Sequence, residues 1–138
     1  MSVLKGPLRG DVLSPRHRLT FQEACGREPA LETHPNLESV LAVLETASEL
    51  RYPEREELTR ALIREQRRGE SSLWSSALVL AYAPMLCRLR ARLRGDTLSR
   101  AELDQLVFAA FFEAIAGFPP DRWTTRVALY LRQQTQRA

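Results

Sequence analysis

Among the side chains able to do chemistry, phosphate-binding types dominate this chain. Nineteen of its twenty basic residues are Arg, and Lys5 is the only Lys. A guanidinium fork grips a phosphate or carboxylate through two parallel N–H bonds, which an ammonium cannot do. A GC-rich genome would produce the same bias with no anionic partner at all. Arg88, Arg90, Arg92 and Arg94 alternate with Leu89, Ala91 and Leu93. On a helix, Arg88 and Arg92 then point one way and Arg90 and Arg94 another. Other reactive types are sparse. His17 and His34 stand at no ligand spacing to each other or to an acid, and Cys25 and Cys87 form no CxxC pattern. Neither a disulfide framework nor a metal site follows from them; Cys87 reads as a small buried hydrophobe and Cys25 as a loop thiol. Glu54, Glu56 and Glu57 are expected in an exposed first helical turn, which does not mark them as a catalytic acid or base. No HExxH, GxSxG, Gly-rich phosphate loop or calcium loop occurs. With no evident nucleophile or general base, the chain is expected not to be an enzyme and to use no cofactor, metal or small-molecule substrate.

The elements that must position these residues are helical. At 138 residues the chain is expected to form one domain around a sizeable core. Its longest apolar run, Ala77 to Cys87, has eleven residues and is too short to span a bilayer. The N-terminus shows no apolar signal-peptide core, so a cytoplasmic protein with no membrane partner is expected. In residues 1–35, Pro7, Pro15, Pro29 and Pro35 recur with Gly6, Gly10 and Gly26. This composition predicts an irregular or partly disordered arm, with one short helical turn near Phe21–Cys25 and with Leu4, Leu8, Val12, Leu13, Leu19 and Phe21 available to pack it down.

From residue 36 to 138 the periodicity is helical throughout. Asn36 is a fair N-cap for a helix ending near Leu50, with Leu37, Val40, Leu41 and Leu44 on one face. Pro53 opens a second helix that carries Glu54, Glu56 and Glu57 at its start and Arg64, Arg67 and Arg68 before Gly69, an order that suits the helix dipole. Its thin apolar stripe (Leu58, Ala61, Leu62) predicts a place at the edge of the fold. A third helix follows Ser71 or Ser72 and should be kinked or divided at Pro84.

Ser99 to Phe118 carries the strongest local signals. Ser99 and Glu102 have capping-box spacing, Gly117 suits a left-handed C-terminal cap, and Pro119-Pro120 cannot continue a helix. Leu103, Val107, Ala110, Phe111, Ala114, Ile115 and Phe118 share one face, predicting the hub of the core. Asp121 then caps a last helix through Trp123, Val127, Tyr130 and Leu131. The fold class expected is all-α, a compact bundle of about five helices preceded by the N-terminal arm.

From about residue 72 onward these features come in a familiar order. Tyr82-Ala83-Pro84 leads into Met85, Leu86, Arg88 and Leu89; Glu102, Gln105, Val107 and Phe108 follow; Phe112, Ile115 and Phe118 precede the double Pro. This order resembles region 2 of bacterial RNA polymerase sigma factors, especially the extracytoplasmic-function type. The resemblance implies a transcription protein that binds core RNA polymerase through the Ser99–Phe118 helix, with Arg100, Asp104, Gln105 and Glu113 on the docking surface. It also implies contact of the last helix with promoter DNA: Trp123 and Tyr130 stacked on unpaired bases, with Arg122, Arg126 and Arg132 on phosphate. Aromatics at helical spacing more often form a core face.

The departures from the family pattern bear on function. Asp104 and Leu106 stand where the family has an apolar and an acidic residue. Arg126 replaces its Trp, and Gln133 its Asn. Because the sequence stops at Ala138, the family's second, −35-reading DNA-binding domain is expected to be missing. These differences leave an alternative: a sigma-like interaction module that binds a regulatory or signalling protein without reading DNA.

Overall fold

The computed structural model describes residues 2–46, 52–93, 98–119 and 127–137. Within them lie eight α-helices and no strand: α1 (Ser2–Val12), α2 (Arg18–Arg27), α3 (Pro29–Glu32), α4 (Leu37–Leu44), α5 (Tyr52–Arg68), α6 (Leu73–Arg92), α7 (Arg100–Gly117) and α8 (Val127–Arg137), with a 3₁₀ turn at Pro15–His17. The fold is all-α, as the periodicity predicts.

The first 35 residues are not an irregular arm. They form α1 to α3 and join the core, where Val12, Phe21, Ala24 and Leu31 are buried. The prolines that read as breakers are in part starters. Pro15 opens the 3₁₀ turn behind Ser14, whose hydroxyl accepts from the Arg16 N–H, and Pro29 opens α3. A fixed φ and a missing N–H cost nothing at a first helical position. Cys25 accordingly sits on α2, not in a loop. Burial, and secondarily the nearby Glu32 carboxylate, push its thiol pKa up.

α6 is the longest helix and buries Leu73, Trp74, Leu78, Leu80, Leu86 and Leu89, so apolar groups face neighbours on several sides. α1, α4, α5 and α7 all pack on it. Pro84 does not divide it: the helix runs unbroken from Leu73 to Arg92. Ser71 rather than Ser72 serves its start, accepting from the Leu73 N–H at 3.1 Å. α4 begins at the Asn36 cap, whose side chain accepts from the Ser39 N–H at 2.9 Å, and ends at Leu44, short of the expected end near Leu50.

The largest correction concerns α5. It does not lie at the edge: it packs on α3, α4, α6 and α8, and Leu58, Ala61, Leu62 and Ile63 are fully buried. Three of its polar residues, Glu56, Thr59 and Glu65, are buried with them, and partners from distant elements meet its polar side chains. Arg27 reaches Glu65 at 2.5 Å, and Arg64 reaches Glu28, the residue before α3, at 2.8 Å. The Thr59 and Tyr82 hydroxyls are 3.0 Å apart, and His34 bridges Ser39 (2.7 Å) and Glu54 (3.2 Å). Gly69, at φ +69°, turns the chain out of α5. Gly117, by contrast, stays helical and is no left-handed cap.

Candidate functional site

The face singled out by the sequence is on α7, and both ends of that helix are held. At its start the capping box forms: the Ser99 hydroxyl accepts from the Glu102 N–H and the Glu102 carboxylate accepts from the Ser99 N–H, each at 3.2 Å. At its end Arg67 of α5 donates to the Ile115 carbonyl (2.8 Å), the Ala116 carbonyl (2.9 Å) and the Phe118 carbonyl. A cation there satisfies orphan carbonyls at the negative pole of the helix. α5 also fixes the next helix. Glu56 is buried and accepts from the backbone N–H of Val127, the first residue of α8, at 2.7 Å. That supplies a capping acceptor from 71 residues away in the chain. One polar helix thus sets the positions of α7 and α8, although the link between them lies outside the described residues.

Held in this way, α7 buries Val107, Phe111, Ala114 and Ile115 and turns Glu102, Gln105, Leu106, Ala109 and Glu113 to solvent. Arg100 is exposed in its first turn. Asp104 is not on this open face: its carboxylate lies 2.7 Å from the Arg90 guanidinium on α6 and is largely buried. Leu106 is 52 % exposed, unusual for a leucine on a well-packed helix. It borders a groove of about 370 Å³ between the ends of α6, α7 and α8, lined by Leu89, Leu93, Val107, Ala110 and Thr135. The open surface of α7 is therefore a polar stripe with an apolar notch beside it.

The residues expected at nucleic acid are only partly in view. Arg122, Trp123 and Arg126 lie outside the described residues. Tyr130 is half-buried and turned toward the core. Its ring meets Phe118 edge-on with centroids 5.1 Å apart, and its hydroxyl donates to the Gly117 carbonyl at 3.2 Å. Arg132 is exposed and opens onto a second cleft, shared with Arg55 of α5 and Arg88 of α6. Nothing in the sequence brings these three together, because they sit on three helices far apart in the chain. Among the described residues no group of three or more His, Cys, Asp or Glu converges as a metal site, and no helix is long and apolar enough to cross a membrane. Comparison with family models, curated proteins and solved structures finds no match for this chain.

Proposed function

We propose that this protein is a sigma-factor-like transcription protein that docks on core RNA polymerase through the outward face of α7. The observation that carries the proposal is the exposed face bearing Arg100, Gln105, Leu106 and Glu113, on a helix whose two ends and back are immobilised. A rigid helix presenting a polar stripe with one apolar anchor suits helix-mediated docking, because little side-chain order has to be gained on binding. The resemblance of the 72–138 stretch to sigma region 2 supplies the identity of the partner. In this reading Arg122, Trp123 and Arg126, together with Arg132, contact promoter DNA.

One observation favours the second reading, a sigma-like module that binds a regulatory protein and does not read DNA. Tyr130 is engaged by Phe118 and Gly117 and is not free to stack on a base. The two readings separate experimentally. Purified chain should capture core polymerase, and the double variant Arg100→Glu/Glu113→Arg should abolish capture. It should also shift a −10-type single strand at low salt, where phosphate contacts are strongest. Capture without a strand shift selects the non-reading module. Failure of both, with the fold intact by circular dichroism, removes polymerase as the partner.

A further inference from the structure

The cleft shared by Arg55, Arg88 and Arg132 has a volume of about 400 Å³, within the range of small-molecule sites. Its walls come from the end of α4, from α5, from α6 and from α8. Three guanidinium groups on one cleft repel one another, whereas several others in this fold meet an acid or carbonyls. Arg9 meets Glu45, Arg27 meets Glu65, Arg64 meets Glu28, Arg90 meets Asp104, and Arg67 meets the α7 carbonyls. Arg55, Arg88 and Arg132 have no carboxylate partner among the described residues. The one acid among the described residues of the cleft wall, Glu45, is held by Arg9 at 2.6 Å. Three guanidinium groups with no carboxylate partner among the described residues are the electrostatic complement of an anion with several acceptor oxygens.

The remaining wall says what the anion is attached to. Met85 is buried at the cleft, and Leu129 and the Tyr82 ring line it. The Tyr82 hydroxyl is already engaged with Thr59, which holds the ring in place. We propose that this cleft binds a small phosphorylated molecule of nucleotide size. Its phosphate oxygens take the forks of Arg55, Arg88 and Arg132, and its planar or apolar body lies against Tyr82, Met85 and Leu129. Guanidinium binds phosphate in a bidentate way, so the three residues can satisfy a di- or triphosphate without help from a metal ion. The inference rests on the cleft alone: it gives Arg132 to the small molecule in place of promoter DNA and leaves the polymerase contact through α7 untouched.

The test is calorimetric titration of the whole chain at low salt with two probes, pyrophosphate and ATP. Arg88 and Arg132 are both exposed, so the double variant Arg88→Gln/Arg132→Gln should keep its helical circular dichroism. The expected result is saturable one-site binding of both probes, tighter for ATP, with affinity for each lower by at least about tenfold in the double variant. No saturable binding of either probe overturns the proposal, as does unchanged affinity in the folded double variant. ATP binding no tighter than pyrophosphate removes the apolar wall from the site. Displacement of bound ATP by a single-stranded oligonucleotide at equal nucleotide concentration would reassign the cleft to nucleic acid.

Discussion

α5 and α7 exchange the roles their compositions suggest. α5 is the more polar helix, with charges along most of its length, yet four of its apolar side chains are fully buried and it contacts helices on several sides. α7 holds three of the five Phe in the chain, yet it leaves a full stripe exposed, Leu106 included. The difference lies in partners. Glu56, Glu65 and Thr59 can enter the interior because Val127, Arg27 and Tyr82 meet them there. Burial of polar groups is tolerated when each finds its hydrogen bond. α7 needs no such help, so it can lie at the periphery, with one face on α6 and α8 and the other open. A polar helix at the centre acts as a jig, and an apolar one at the rim presents a surface.

The comparison can be broken most forcefully in the core. Phe111→Ala on α7 should cost about 3–5 kcal/mol and Leu62→Ala on α5 about 2–5 kcal/mol, read as loss of unfolding free energy in urea. A cost for Leu62→Ala well below that range would return α5 to the edge of the fold. Next comes the long-range cap. Glu56→Ala removes the acceptor for Val127 and should cost about 2 kcal/mol, whereas Glu56→Gln keeps an acceptor oxygen and should cost less than half as much. Equal costs for the two would mean that charge, not the hydrogen bond, holds α8. Ser99→Ala should cost about 1 kcal/mol by opening the capping box at the start of α7.

The smallest effect on stability and the largest on function should coincide at Leu106. Leu106→Glu should change unfolding free energy by no more than about 0.5 kcal/mol, because the side chain is half in water. It would place an acid where the resembled family carries one. Polymerase capture should therefore be kept or strengthened, while a partner that uses the apolar notch beside Leu106 should be lost. Pull-down with the variant sharpens the choice between the two proposed partners.

Much of the local structure is legible without coordinates. The caps at Asn36 and at Ser99 with Glu102 depend on side chains within three residues of one another, and both form. The buried stripe Val107, Phe111, Ala114 and Ile115 follows from period alone. Misreadings arise where a local signal has two uses. Pro15 and Pro29 read as breakers but open the 3₁₀ turn and α3, and Pro7 is accommodated inside α1, which hid three helices in the first 35 residues. Of the proposed docking residues, Arg100, Gln105 and Glu113 face solvent, whereas Asp104 turns inward to Arg90. Periodicity places a residue on a helix face but cannot tell which neighbour that face will meet.

What the sequence by itself determined is the helical class, the chain order of most helices and the outward stripe of α7, because capping and 3.6-residue periodicity act within a few residues. What only the tertiary structure decided is the central place of α5, the inward turn of Tyr130 and the gathering of Arg55, Arg88 and Arg132 on one cleft. These depend on groups tens of residues apart whose pairing energies exist only once the helices have docked, so no local pattern records them.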